Sequence, residues 1–397
     1  MSTPNVPFTT RTANNLVLSH VRQRAWVEID KAAIASNTYN LCKLVGPKSQ
    51  LMAVVKADGY GHGALNAAEA AQSGGASSYG VATLHEGIQL REGGIQAPIL
   101  VLGNITQSEE LRACKEWDLM PTISTVREIL LCESLARWNG YIISIHIKID
   151  TGMTRLGINW EEGVRMIKVL KELNFVKIVG IYSHLALTDQ SIVAKQFTQV
   201  QKQRWVNVLH SLSQHQIGFG YRHLANSAGT LLNNELGFDM IRVGLAIYGQ
   251  IPQSNLGRIH SLQPALHLRA RVTLIRHVPA GVGISYGHEY ITSQPSRIAV
   301  VSIGYGDGVP RVLSGKMEVL FQGECVRQVG NITMDQLMLD ATNVKGLRVG
   351  SVVTLLGSSG GRQINAFDWS QKCNTIPWEI LCGLKDRLPR LVLNPND

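Results

Sequence analysis

Cysteine is sparse and carries no pairing pattern: the six, Cys42, Cys114, Cys132, Cys325, Cys373 and Cys382, are scattered through 397 residues, and none stands in a CxxC. That argues against a disulfide framework or a zinc site, leaves no metal expected, and fits a reducing compartment. No apolar run approaches the roughly 20 residues of a membrane span, and the opening MSTPNVPFTTRTANNLVLSHVRQR has no apolar core of signal-peptide length. Residues 1–23 read as a loose polar extension of a cytoplasmic protein, with no membrane partner. The net charge of +9 raises nucleic acid as a partner. Yet Lys and Arg are dispersed among acids, no basic run interleaves with aromatics, and zinc-finger and RNP patterns are missing. So are the phosphate-loop motifs GxxxxGK[ST] and GxGxxG.

The patterning that is present divides the chain. Between residues 49 and 244, apolar runs at 49–56, 79–83, 98–103, 121–124, 142–150, 177–184, 221–225 and 238–242 read as strands. Helical stretches alternate with them. Thr106-Gln-Ser-Glu-Glu and Ser124-Thr-Val-Arg-Glu set capping residues ahead of helices, and WEEGVRMIKVLKELN spaces Val164, Ile167, Leu170 and Leu173 on one helical face. Eight alternations predict a (β/α)8 barrel over 24–258, with an open doubly wound sheet as the rival. From residue 259 to 397 the helical period gives way to strands, with a hairpin expected at Gln322-Gly323 and one late helical stretch at 365–386. The fold class is therefore α/β plus β.

Barrels place chemistry at the C-terminal ends of their strands. There the sequence sets Lys56, after the apolar Leu51-Met-Ala-Val-Val, where it either snorkels to water or loses its proton and acts as an amine nucleophile. The fifth strand, IISIHIKID, alternates isoleucines with Ser144, His146, Lys148 and Asp150, so the polar set faces the barrel interior. A buried Lys148 needs an anion, and a buried ion-pair network with Asp150 is the plain structural reading. Arg155, after a glycine turn, suits a ligand better. Later strands end in His184, in Asn226 and Ser227, and in Arg242, Gly244 and Tyr248. Small hydroxyl and glycine residues after the last strands can bind phosphate. With a lysine on the first strand, the set suggests pyridoxal 5'-phosphate.

The segments AVVKADGYGHG, KIDTGMTRLG, ANSA, IRVGLAIYG, GISYG, GYGDG and GNITMDQ occur in the order found in alanine racemases, and the chain resembles that family of fold-type III pyridoxal-phosphate enzymes from RAWVEID to LPR. The resemblance implies interconversion of L- and D-alanine, supplying D-alanine for peptidoglycan, by a homodimer with shared active sites. By it, Lys56 carries the cofactor; Tyr60, Ser227, Gly244 and Tyr248 serve its phosphate, with Asn226 beside them; and Arg242 faces the pyridine nitrogen. Lys56 and Tyr286 act as bases on opposite faces of the substrate, Tyr286 reaching over from the second subunit. His184 and Arg242 extend a hydrogen-bond network from that tyrosine. Arg155, Met334, Asp335 and Tyr305 line the substrate site, and Lys148 matches a lysine often carbamylated in the family.

One position departs. Where the family often has Ser-Tyr-Arg, this chain has Lys385-Asp386-Arg387, and an ionised Asp386 would repel a phosphate, so it should turn aside or pair with Lys385 or Arg387. That opens a serine or broader amino-acid racemase as the alternative. Two rivals sit further away. A decarboxylase on the same fold would carry an acid where Arg242 stands, and a non-catalytic cofactor carrier would lack the β domain.

Overall fold

A computed structural model describes residues 24–162, 166, 169–187, 191–251 and 262–393. Val164 and Ile167, and the 1–23 extension, lie outside them. The chain forms two compact units, one built on Ile29–Leu266 with Asn365–Gly383, the other on His267–Ile364 with Leu384–Leu391 and the segment that begins at Arg24.

The first unit is a closed parallel barrel. Its strands are Gln50–Val54, Ser78–Val81, Ile99–Asn104, Leu119–Ile123, Ile143–Asp150, Val176–Tyr182, Tyr221–His223 and Met240–Val243. The last returns to the first, with Met240 opposite Gln50 and Val243 opposite Ala53, so the sheet has no edge and the open alternative is excluded. All eight sit within a few residues of the expected runs. Ile143, Ile145, Ile147 and Ile149 are buried on the helix-covered side, while His146 and Lys148 are buried on the other. Inside, Met52, Leu100, Tyr182 and Met240 form a packed layer, so the barrel is a filled core and its polar residues stand above that floor.

Helix starts follow the capping chemistry. Thr83 with Glu86 and Thr125 with Glu128 form reciprocal capping boxes ahead of Leu84–Glu92 and Val126–Asn139. The late helical stretch is two short helices, Ala366–Cys373 and Pro377–Cys382, broken at Asn374, whose backbone is left-handed. Both are counted with the barrel unit.

In the second unit six antiparallel strands also close on themselves. Leu266–Val278 pairs along one stretch with Val352–Ser359 and along the next with Ser296–Val301, with one register shift within each pairing. Glu318–Phe321, Glu324–Val329 and Leu337–Asp340 complete the ring. Gln322 and Gly323 both take positive φ, the twist that a two-residue hairpin demands.

Candidate active site

Lys56 sits where the first barrel strand stops, and the backbone beyond it is unusual. Ala57, Asp58, Gly59 and Tyr60 all hold φ between 51° and 61°, a full left-handed turn. Such a conformation costs roughly 1–2 kcal/mol for each residue with a Cβ, so it persists only when held. The holding bonds are visible. Glu86 Oε1 accepts from Ala57 N–H at 2.8 Å, Asp58 Oδ1 accepts from Ala64 N–H at 2.8 Å, and His62 Nδ1 lies 2.9 Å from the Gly59 carbonyl. The turn delivers Lys56 to the wall of a cavity of about 700 Å³ at the C-terminal end of the barrel. Burial, then Arg155, lowers the Lys56 ammonium below its ordinary range, with Glu86 opposing.

Lys148, Arg155, His184 and Arg242 line the same cavity. The expected ion-pair network around Lys148 is not what forms: Asp150 Oδ1 is occupied by the backbone N–H groups of Gly152, Met153 and Thr154 at 2.9–3.1 Å. Lys148 instead lies 5.5 Å from the centre of the Tyr182 ring, and burial with Arg242 and Arg155 nearby lowers it to about 8. Arg242 is fully buried, lowered to about 10, and its guanidinium spans two histidines: Nη1 reaches His223 Nδ1 at 3.1 Å, and Nη2 reaches His184 Nδ1 at 3.1 Å and the Ser183 carbonyl at 2.6 Å. Arginine only donates, so both Nδ1 atoms accept and both histidines carry their proton on Nε2. Desolvation and Arg242 hold His184 and His223 neutral.

The small residues after the seventh strand form a cradle. Ser227 Oγ accepts from Gly244 N–H at 3.1 Å and Ala246 N–H at 3.4 Å; Asn226 caps the helix Ser227–Leu232 through Gly229 N–H. A Cβ at Gly244 would stand 2.5 Å from the Tyr60 hydroxyl, so this glycine is what admits the tyrosine. Tyr248 stands behind the wall: its hydroxyl donates to the Val54 carbonyl at 3.2 Å and its ring stacks on His62.

Tyr286, Tyr305, Met334 and Asp335 belong to the second unit. There the GYGDG backbone rests on the ITMD loop, with Tyr305 N–H on the Thr333 carbonyl and Gly306 N–H on that of Met334. Tyr286 opens a tight turn after Ser285, tied down where Asn331 Nδ2 donates to its carbonyl at 2.7 Å and Ser285 Oγ donates to the Asn331 carbonyl. Its side chain is 75% exposed and that of Met334 53%. Asp335 pairs with Arg387 at 2.7 Å, and Arg387 also reaches Asp307, already bound by Arg24. With Arg387 drawn inward, Asp386 points outward, and its near cation is Arg390 at 3.8 Å rather than Lys385 or Arg387.

Several contributors escape inspection of the sequence. Glu86, which holds the turn after Lys56, was not singled out; Ile376 and Trp378 line the cavity from the start of the last helix, and Tyr182 from within the barrel. No spacing rule ties these to a site.

The family model of the alanine racemase N-terminal domain matches residues 29–252 and that of its C-terminal domain residues 265–392. The chain belongs to the alanine racemase family. It is 53% identical to the alanine racemase of Prochlorococcus marinus, over 94% of this chain and 97% of that one, and 46% identical to that of Synechocystis, over 94% and 100%. The crystal structure of alanine racemase from Bacillus anthracis with bound L-Ala-P matches with a TM-score of 0.85 at 33% identity, covering 94% of this chain and 96% of the other. Both halves thus match alanine racemase, an isomerase acting on alanine, and these comparisons do not favour a serine or broader racemase. Among the described residues, no helix is long and apolar enough to cross a membrane.

Proposed function

We propose that this alanine racemase is a cytoplasmic, pyridoxal-phosphate-dependent homodimer, that it supplies D-alanine for peptidoglycan, and that Lys56 and Tyr286 are its two bases. The observation that carries the cofactor assignment is the charge of the cavity: Lys56, Lys148, Arg155 and Arg242 all line it, and among the described residues no carboxylate does. A bound dianionic phosphate would answer that imbalance. The donor set suits the rest of the group, with an amine that burial makes easier to deprotonate for an aldehyde, Ser227 and Gly244 with Tyr60 for a phosphate, and the Arg242 guanidinium for a ring nitrogen.

When bound, the cofactor supplies a conjugated ring that withdraws negative charge from the substrate Cα. The chain's own residues do the rest. Arg242 donates and has no lone pair with which to accept, so a ring nitrogen facing it would stay unprotonated and draw charge less strongly, which would discourage side reactions. Lys56 takes or returns the Cα proton on one face, its lowered ammonium making the neutral base accessible. Tyr286, from the partner subunit, serves the other face. His184 helps it: among the described residues its Nε2–H meets only Asn226 Nδ2, another donor, at 3.5 Å, so it remains able to donate to a phenolate oxygen. Arg155 orients the substrate carboxylate, and Met334, Asp335 and Tyr305 of the partner subunit border it. The exposure of Tyr286 and Met334 on the second unit supports a face completed by another copy.

The test is proton exchange at Cα in deuterated water with alanine and serine side by side. Exchange with inversion on alanine, faster than on serine, is expected; a protein that binds pyridoxal phosphate yet leaves L-alanine's rotation unchanged would defeat the reading.

Lys148 carries a prediction of its own. Its folded value of about 8 lies below the ordinary 10.5, so between those values the unfolded chain binds more protons and stability rises with pH; below about 8 the full penalty remains. Addition of carbon dioxide to the neutral amine, with one proton lost to solvent, gives a carbamate anion facing Arg155 and removes that penalty. Bicarbonate just below pH 8 should therefore raise the melting temperature of the wild type but not of Lys148→Met, and native mass spectrometry should show one added carbon dioxide.

A further inference from the structure

One buried histidine is unused by the mechanism. His146, on the fifth barrel strand, is 1% exposed, and its Nδ1 lies 3.0 Å from His223 Nε2 on the seventh. The sixth strand runs between them. His146 is in register with Gly180 of that strand, and Gly180 with Tyr221 of the seventh. The imidazole crosses over the place where Gly180 has no side chain: a Cβ there would stand 2.6 Å from His146 Nδ1. The two rings meet edge to face, centres 5.1 Å apart.

Proton placement along this line is forced from one end. Arg242 Nη1 can only donate, so His223 accepts at Nδ1 and carries its proton on Nε2; that N–H donates to His146 Nδ1, and the last proton rests on His146 Nε2. His146 Nε2 is buried with no partner among the described residues. A chain of this polarity has one stable arrangement. If His223 changed tautomer, an N–H would face the N–H of Arg242, and if its ring turned over, a C–H would.

We infer that His146 is a positioning residue for Arg242: by accepting the His223 Nε2 proton across Gly180, it makes His223 present a bare Nδ1 to the guanidinium and so holds Arg242 in one orientation. Neither histidine lines the cavity itself; His223 meets its wall at Arg242, by the hydrogen bond, and at Tyr182, whose ring stacks on it with centres 4.9 Å apart. Leucine at 146 removes the acceptor and leaves a buried N–H unpaired. Alanine at 180 keeps both histidines and drives the rings apart. Asparagine at 146 restores an acceptor close to the place of Nδ1.

The inference rests on the reading that Arg242 serves the cofactor ring, and the experiment separates the two. Nitrogen-15 spectra of the cofactor-free wild type should show neutral His146 and His223, both protonated on Nε2. Fluorescence titration with pyridoxal phosphate should then give binding about tenfold weaker in His146→Leu and Gly180→Ala, and within about twofold of wild type in His146→Asn. Racemase kcat should fall with the same pattern while the KM for alanine holds. A wild-type His223 protonated on Nδ1 or on both nitrogens would overturn the relay. So would unchanged cofactor affinity in a folded Gly180→Ala, which also carries the test if His146→Leu does not fold. Failure of the wild type itself to bind pyridoxal phosphate would instead strike the cofactor reading.

Discussion

Lys56→Ala should bring kcat/KM for both enantiomers of alanine down by roughly 10⁴-fold, since one substitution removes the proposed attachment point and one of the two proposed bases, and a single general base alone contributes about 10²–10⁴. The fall should be equal in the two directions, because each direction uses both faces. Spectroscopy separates the lost functions. Pyridoxal phosphate should still bind, held by the Ser227 and Gly244 cradle and by Arg242, but with the absorption of a free aldehyde. Small primary amines, diffusing into the cavity of about 700 Å³, should restore part of the rate by acting as soluble bases. Wild-type activity in Lys56→Ala would end the assignment. A loss of folding would show instead in the melting curve, and it is not expected, because Lys56 makes no salt bridge among the described residues and the turn after it is held by Glu86, Asp58 and His62.

Why the barrel was legible in the sequence and parts of its mouth were not follows from what each residue type must do. A strand such as Ile143–Asp150 announces itself because its alternating faces meet different solvents, helix packing on one side and a polar interior on the other. The late helices were legible as one stretch and not as two, since the left-handed Asn374 ends a helix by a backbone angle that composition does not specify. Lys148 was legible as buried and needing an anion, but its nearest acid in sequence, Asp150, is taken by three backbone N–H groups of the following turn. That choice depends on where the loop goes, not on the spacing of charges. The fate of Asp386 was half legible. Electrostatics required it to turn aside, while the partner was set by Arg387, already committed to Asp335 and Asp307. The histidine line was hidden most deeply, because residues 146, 180 and 223 share no local pattern and meet only when the barrel closes.

Tyr286→Phe keeps the ring and deletes the proton carrier, so it should separate the two faces of the reaction. Interconversion should fall by roughly 10³-fold, with KM nearly unchanged because a phenyl ring preserves the contact surface. Exchange of the Cα proton in deuterated water should survive for one enantiomer only, the one whose hydrogen faces Lys56, and should occur with retention. Lys56→Ala should not show that asymmetry, since it also loses the cofactor linkage. The placement of Tyr286 in a shared site can be tested with the two variants together. If Lys56 and Tyr286 of one site come from different chains, a dimer of one Lys56→Ala and one Tyr286→Phe subunit holds one doubly broken site and one intact site. Equal mixing during co-expression gives half of all dimers this composition, hence about one quarter of wild-type activity from two nearly inactive parents. If both bases come from a single chain, every site in every dimer lacks one base and nothing is recovered. The geometry of the second unit favours recovery: its tyrosine is fixed on a pinned turn and 75% exposed, as a group presented to another copy would be.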